Sequence, residues 1–278
     1  MSAHSNPLVV ISTTTEGITT ITISRPHRRN AVNPATAREL YAAFIKFEED
    51  LSQKVAILTG ADGFFCAGAD LVDLTAQQQQ GPESLDLMDR DHLQPVHGRN
   101  IAPMGPSRLQ VSKPVIAAVA GHAVAGGLEL SLLADMRIVE EDAVFGVYCR
   151  RWGVPLIDGG TVRLQAIIGL GRALDMVLTG RPVSAQEALS MGLANRVVPK
   201  GTALQEATKL AEQLLKFPNR CMNVDRSSCY YAAYNASSFE DALRNEYDQG
   251  SKILETESLR GAARFAGGLG RHGGFEKL

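Results

Sequence analysis

The sequence lacks the cysteine patterns that build zinc sites or disulfide frameworks. Its four cysteines, Cys66, Cys149, Cys221 and Cys229, are irregularly spaced and form no CxxC pair with matching histidines. We therefore expect neither a bound metal nor a disulfide. Because free thiols persist in a reducing compartment, the sequence predicts a cytoplasmic protein.

Long apolar runs and an excess of one charge are also missing. No stretch of about 18 apolar residues occurs, and the N-terminus lacks the basic start and apolar core of a signal peptide. The formal net charge of the 278 residues is -2, with both signs dispersed along the chain. We therefore expect no contact with nucleic acid or membrane, and a small molecule as the partner.

What is present is an alternation of strand and helix patterns. The patterns predict a hairpin over Leu8–Ser24, a helix over Pro34–Asp50, and buried strands over Val55–Thr59 and Val115–Ala120. Such an order favours an α/β protein whose ligand site forms where strands end and helices begin. Beyond Gly160 the pattern becomes mainly helical. We therefore divide the chain into an α/β core over residues 1–200 and a helical region over residues 201–278.

Two glycine-containing turns stand out within the α/β part. In Gly121–Asp135, GHAVAGGLELSLLAD, a helix starting near Gly126 would leave backbone N–H groups without helical partners. A second turn, Phe64–Asp70, offers another such N–H, and two N–H groups that converge on one oxygen form an oxyanion hole. Glu129 lies one helical turn further on, in reach of a proton transfer. This pair of turns is the candidate reaction site.

Two other segments have little periodicity. Residues 75–108 carry a glutamine run and scattered acids, which favours a surface loop or lid with a short helix near Leu85–Leu93. The tail over Gly261–Gly274 is rich in glycine, so we expect no firm helix there.

Several motifs in order resemble the crotonase superfamily, the enoyl-CoA hydratases and isomerases. They are ITISRPHRRNAV, FFCAGADL, KPVIAAVAGHAVAGGLELSLLAD, GGTVRL and GRALDMVLTGRPVSAQEALSMGLANRVVP. The resemblance implies a stack of ββα units with a helical C-terminal region that packs homotrimers, which often pair as hexamers. It also implies an acyl-CoA thioester as substrate, with coenzyme A as part of that substrate and no separate cofactor.

The resemblance also assigns site residues. It implies an oxyanion hole formed by the backbone N–H groups of Ala69 and Gly126, and Glu129 as the catalytic acid and base. Residues implied to lie against the substrate are Arg29, Ala67, Asp70 and Leu71. Simpler interpretations stay open: Glu129 as a structural ion pair with Arg137 or Arg151, the two turns as tight packing only, and Arg29 as a solvated surface residue.

One position departs from the family pattern. Hydratases of this family use two glutamates, and the second one falls here at Cys149, where a thiol is a poor base. Asp158 is a candidate replacement, although the aspartate of related isomerases aligns one residue earlier, at Ile157. Asp158 as a cap of the helix near Gly159 is an equal alternative.

The sequence thus predicts an enoyl-CoA hydratase/isomerase-type enzyme that stabilises a thioester enolate and retains a single catalytic glutamate, Glu129, with Asp158 as its helper. The loss at Cys149 makes an isomerase or another proton-transfer enzyme as good a prediction as a hydratase. A non-catalytic acyl-CoA-binding protein is the alternative from another class.

Overall fold

The structure, a computed structural model, describes residues 7–73 and 93–268. Its contacts divide the chain into two compact units, Met1–Ala211 and Glu212–Leu278. The described strands all belong to the first unit, and the second unit is helical where it is described. The predicted α/β class with a helical C-terminal region is therefore confirmed.

The chain begins with the predicted hairpin. Strand β1 (Val9–Thr13) pairs antiparallel with β2 (Ile18–Ile23), and Val9 lies opposite Ile23. Ile21 and Ile23 are fully buried, whereas most of β1 is exposed. The buried isoleucines thus place β2 inside the sheet, whereas the exposed β1 forms its edge.

A six-stranded sheet forms the centre of the first unit, with the strand order β1-β2-β3-β4-β6-β9. The further strands are β3 (Val55–Gly60), β4 (Val115–Val119), β6 (Met136–Glu140) and β9 (Arg196–Val198). Except for the β1–β2 pair, neighbouring strands in this sheet run parallel. Every residue of β4 is buried, as expected of a parallel strand covered on both faces.

A second sheet of three short strands was not predicted as such. It has the order β5-β7-β8, formed by β5 (His122–Val124), β7 (Val144–Gly146) and β8 (Val183–Ser184). The sequence pattern led directly from a strand through a glycine turn to a helix, but the structure inserts β5 between them. A strand of three residues is too short to produce a recognisable alternation.

The first unit contains the helices predicted at Pro34 and near Gly126, and it is mainly helical beyond Gly160 as predicted. Its described helices are α1 (Pro34–Glu49), α2 (Gly126–Ser131), α3 (Gly160–Ile168), α4 (Leu170–Thr179), α5 (Ala185–Ser190) and α6 (Ala203–Leu215), which runs past the end of the unit. Asn33 caps α1, because its side-chain oxygen accepts a hydrogen bond from the Thr36 N–H at 2.9 Å. Strands β4 and β5 with α2 form one ββα unit.

The second unit contains α7 (Asn219–Tyr234), α8 (Phe239–Ile253), a π-helical turn (Leu254–Ser258) and α9 (Leu259–Ala266). The Glu257 carboxylate accepts the Cys221 N–H at 2.7 Å, which satisfies a free donor in the first turn of α7. Helix α9 contradicts the expectation of no firm helix from Gly261. Good helix formers follow this one glycine, so the helix continues to Ala266.

The described helices include none with both the length and the apolar character to cross a membrane. The short helix expected near Leu85–Leu93 lies outside the described residues except for Leu93.

A strained alanine precedes α2. Ala125 has φ 54° and ψ −125°, a conformation that glycine adopts easily and side chains with a Cβ rarely adopt. We expect Ala125→Gly to raise the free energy of unfolding by about 1 kcal/mol, the relief of strain exceeding the added chain entropy. Urea unfolding would measure the change.

Ala123→Gly is the matched control, because Ala123 is a fully buried residue of β5 with a negative φ. We expect this variant to be less stable than the wild type by about 1 kcal/mol. Equal losses in the two variants would contradict the assignment of strain to Ala125.

Candidate active site

The sequence-predicted site residues meet in one cavity of about 430 Å³ in the first unit. Those that line it are Arg29, Ala67, Ala69, Asp70, Leu71, Gly126, Glu129 and Asp158. Most of the remaining lining is apolar, including Val124, Val154 and Ile157. The structure therefore brings together residues from four separate stretches of sequence around one apolar space.

Ala69 lines this cavity and forms a single β-bridge with Val32. The Val32 N–H donates to Gly68 O at 2.8 Å, and the Asp70 N–H donates to Val32 O at 2.9 Å. Because successive peptide groups of an extended chain point to opposite sides, the intervening Ala69 N–H points away from Val32. It donates to no described residue.

Gly126 supplies the second N–H at the start of α2, where the first amides have no helical acceptor. The two turns touch at Gly68, which has φ +97°, and a Cβ there would lie 3.0 Å from Gly126 N and 2.9 Å from Ala125 Cβ. Only glycine fits both this backbone conformation and this approach. The Gly126 and Ala69 amides are consequently held near one another at the cavity wall.

Glu129 lies in α2 with its carboxyl group turned into the same cavity, and only 3% of the residue is exposed. The N–H groups of Asp158 and Gly160 each donate to Glu129 Oε1 at 2.9 Å. Glu129 forms no ion pair with a described residue, so the interpretation as a partner of Arg137 or Arg151 is wrong. Arg137 instead donates to the carbonyl oxygens of Leu193 and Ala134.

Burial raises the pKa of Glu129 to about 7, and the nearby Asp158 carboxylate adds to the increase. The hydrogen bonds from Gly160 and Asp158 and the charge of Arg163 act in the opposite direction. A carboxyl group with a pKa near neutrality can both accept and donate a proton at physiological pH. Glu129 therefore has the properties of a general acid and base.

Asp158 is another buried carboxyl group of the cavity, with 3% exposure. Its Oδ1 accepts the Met104 N–H at 2.9 Å and a hydrogen bond from the Ser107 hydroxyl. Burial raises the pKa of Asp158, against the hydrogen bonds from Ser107 and Met104. The alternative role as a helix cap is wrong, because Gly159 occupies the cap position of α3 without a side-chain hydrogen bond.

Cys149, at the position of the second family glutamate, also lines the cavity from the 3₁₀ helix Tyr148–Trp152. Burial raises the pKa of its thiol, and the charge of Glu129 raises it further. A thiol in this state is protonated at neutral pH and is neither a base nor a nucleophile. Besides Glu129 and the ion-paired Asp70, Asp158 is thus the remaining carboxyl group among the described residues that line the cavity, and its role as a replacement for the second glutamate stays a prediction.

The residues predicted to contact the substrate differ in their exposure and in their charged partners. Arg29 is exposed at the cavity rim in a left-handed conformation with φ 50°. Asp70 is buried, and its carboxylate lies 2.9 Å from the Arg25 guanidinium, so this side chain already has a charged partner. Leu71 is partly exposed at the rim.

Sequence reasoning missed the groups that hold the two carboxyl groups in place. Ser107 and Met104 bind Asp158, while Arg163 donates to the carbonyl oxygens of Ser107 and Leu109. Met104 and Ser107 lie 54 and 51 residues from Asp158 and belong to none of the recognised motifs, whereas Arg163 lies within the motif GGTVRL but had no assigned role. The one available signal was the Gly159-Gly160 pair, since adjacent glycines before a helix indicate a close approach.

Within residues 7–73 and 93–268, no three His, Cys, Asp or Glu side chains are arranged to hold a metal ion.

Comparison with known proteins gives consistent results over most of the chain. The profile of the family described as "Enoyl-CoA hydratase/isomerase" matches residues 13–249. "Enoyl-CoA hydratase EchA19" of Mycobacterium tuberculosis is 37% identical over 201 residues, covering 70% of each chain. "Mevalonyl-coenzyme A hydratase sidH" of Aspergillus fumigatus is 30% identical over 268 residues, covering 95% of this chain and 94% of the relative.

A similar solved structure is that of enoyl-CoA hydratase EchA1 from Mycobacterium marinum. Its TM-score is 0.82 at 30% sequence identity, and the match covers 94% of this chain and 96% of that one.

Gly160 is needed for the close approach of α3 to Glu129. A Cβ at this position would lie 2.8 Å from both Glu129 Cγ and Oε1. We expect Gly160→Ala to lower the free energy of unfolding by about 2 kcal/mol, because the buried carboxyl group must move. Urea unfolding would measure the loss.

Gly171→Ala is the matched control, because no atom lies within 4 Å of a Cβ at this position of α4. We expect it to be as stable as the wild type or up to about 1 kcal/mol more stable. If Gly160→Ala behaved in the same way, the close packing against Glu129 would be disproved.

Proposed function

The chain belongs to the enoyl-CoA hydratase/isomerase family, and we propose that it transfers a proton at the α-carbon of an acyl-CoA thioester through Glu129. Its fold is the predicted crotonase-like stack of ββα units, and it is an enzyme that acts on acyl-CoA thioesters. The observation that carries the proposal is the buried Glu129 carboxyl group, with a pKa of about 7, in the cavity of the Ala69 and Gly126 amides.

The chemistry follows from where charge develops. Removing the α-proton of a thioester leaves an electron pair that delocalises onto the carbonyl oxygen as an enolate. In the proposed arrangement, the N–H groups of Ala69 and Gly126 donate to this oxygen, and each donor can stabilise the transition state by roughly 3 kcal/mol. Glu129 takes the proton as its carboxylate and returns it as its carboxylic acid.

Asp158 is the proposed second proton-transfer group. It lines the cavity, its pKa is raised by burial, and Ser107 and Met104 hold its carboxyl group in place. The charge of Asp158 raises the pKa of Glu129, so the protonation of Asp158 affects the proton affinity of Glu129. Two carboxyl groups in one cavity suit a reaction that removes a proton on one carbon and delivers one on another.

Two reactions remain as candidates. The names of two relatives, both hydratases, support hydration of an enoyl-CoA. Cys149 at the cavity wall supports double-bond isomerisation, since the usual pair of glutamates that activates water is incomplete. A non-catalytic acyl-CoA-binding role predicts binding without proton exchange at the α-carbon.

We further propose that coenzyme A enters only as part of the substrate and that Arg29, at the cavity rim, contacts it together with Ala67, Asp70 and Leu71. The proposed assembly is a homotrimer or a dimer of trimers formed through residues 201–278. The proposed location is the cytoplasm, supported by the four unpaired cysteines.

Glu129→Gln tests the proposed role of Glu129 as acid and base. The variant keeps an oxygen that can accept the hydrogen bonds from the Asp158 and Gly160 N–H groups. We expect deuterium exchange at the α-carbon of butyryl-CoA to fall at least about 100-fold. In the wild type the exchange should increase with pH around the Glu129 pKa of about 7, because the base works as its carboxylate. Mass spectrometry of the thioester in deuterated water measures both.

Butyryl-CoA binding by calorimetry serves as the control for this variant and should be nearly unchanged. Full exchange by Glu129→Gln would remove Glu129 from the mechanism. Binding without exchange in the wild type would establish the non-catalytic alternative.

Cys149→Glu tests which reaction the cavity performs. If the missing glutamate limits hydration, this variant should hydrate crotonyl-CoA at least about 10 times faster than the wild type, since it restores a second base for water. Loss of absorbance from the conjugated enoyl thioester measures hydration, and its appearance from a 3-enoyl-CoA measures isomerisation. Cys149→Ser is the control of similar size, and a wild type that already hydrates rapidly would contradict the inferred deficit.

A further inference from the structure

The segment Cys66–Asp70, which carries Ala69, has nearly all of its backbone amides engaged. The Cys66 N–H donates to His122 O at 2.9 Å, and the Ala67 N–H donates to Arg29 O at 3.1 Å. Gly68 donates to the Cys66 sulfur at 3.4 Å, and Asp70 donates to Val32 O as described above. The Ala69 N–H is thus fixed by its neighbours, and whatever holds those neighbours sets its direction.

Arg25 holds the two chain segments of the Val32–Ala69 bridge together. Its Nη2 lies 2.9 Å from Asp70 Oδ2, and its Nη1 donates to the carbonyl oxygen of Ala31. Ala31 precedes Val32, and Asp70 follows Ala69. One guanidinium therefore spans both sides of the bridge that orients the Ala69 peptide group.

This contact is buried, with only 6% of the Arg25 side chain and 4% of the Asp70 side chain exposed. A charge-assisted hydrogen bond out of water is strong and directional, and a planar guanidinium fixes its two acceptors relative to one another. Asp73 lies 3.6 Å from the same Nη2 and accepts a hydrogen bond from Asn33 at 2.7 Å. Arg25 itself is not among the residues that line the cavity.

We propose that Arg25 is a positioning residue for the oxyanion hole, which sets the direction of the Ala69 N–H through the Asp70 carboxylate and the Ala31 carbonyl. The proposal rests on the proposed function, since it assumes that a thioester oxygen accepts the Ala69 N–H. It also gives Asp70 a role that needs no contact with the substrate.

The consequence is a loss of turnover without a comparable loss of binding. Removing a whole oxyanion donor costs about 100- to 1,000-fold in kcat, so a misdirected donor should cost less. We expect Arg25→Lys to lower the kcat of α-proton exchange about 10- to 100-fold, with KM changed less than about 3-fold. Asp70→Asn should lower this kcat by a similar factor, and its KM reports separately on the proposed contact of Asp70 with the substrate. Lysine keeps the charge but cannot bind both acceptors in a fixed geometry.

Infrared spectroscopy separates a positioning role of Arg25 from a purely structural one, because a purely structural role would leave the carbonyl band of the bound thioester unchanged. Butyryl-CoA labelled with ¹³C at the thioester carbonyl has an isolated stretching band, which shifts to lower frequency when the oxygen accepts strong hydrogen bonds. We expect a large downshift on binding to the wild type and a smaller one in Arg25→Lys and Asp70→Asn.

Arg181→Lys is the matched control, because Arg181 also bridges two carboxylates, those of Asp175 and Glu187, and does not line the cavity. We expect the wild-type downshift and the wild-type kcat in this variant. Urea unfolding of each variant shows whether it folds. If Asp70→Asn does not fold, Arg25→Lys alone tests the proposal.

Folded Arg25→Lys with the wild-type downshift and kcat would overturn the proposal and leave Arg25 a purely structural residue. A wild type that binds butyryl-CoA without any downshift would instead overturn the oxyanion hole itself. A wild type that binds no acyl-CoA would overturn the proposed function, so the failures are distinguishable.

Discussion

The structure of the cavity depends on keeping one carboxyl group, that of Glu129, out of water. A buried carboxylate is costly unless it is hydrogen-bonded, and the backbone amides of Asp158 and Gly160 at the start of α3 meet this requirement. They bind a single oxygen, which leaves the other side of the carboxyl group to the cavity. The same interaction ties α3 to α2, so the group that is suited to move a proton also fixes the position of Asp158 beside it.

Space is the second constraint, and it is set by backbones more than by side chains. Gly68 brings the Ala69 segment against the start of α2, and Gly160 brings α3 against Glu129. Both contacts exclude even a methyl group. The strained Ala125 between β5 and α2 belongs to the same tight turn, where a local conformational cost is balanced by the surrounding packing.

Much of this arrangement was predictable. The hairpin, the capped helix α1, the buried strands and the order of the helices follow from periodicity, caps and glycines, and the motifs identified the family. The short strand β5 and helix α9 were missed or misjudged, since three residues show no alternation and one glycine does not stop a helix. The cap role of Asp158 was an equal alternative because an aspartate before Gly-Gly fits both interpretations. The structure separates them, since Gly159 occupies the cap position and the Asp158 carboxyl group binds Ser107 and Met104 instead.

The sequence by itself determined the family, the α/β class and the residue types available for chemistry, because these depend on local pattern and on motifs that are contiguous in the chain. The tertiary structure decided which groups meet. Asp158 raises the pKa of Glu129, and Glu129 raises the pKa of Cys149. Arg25 forms an ion pair with Asp70. Each of these interactions joins residues that are distant in sequence. Burial sets their charges and pKa values, and burial is a property of the folded chain alone.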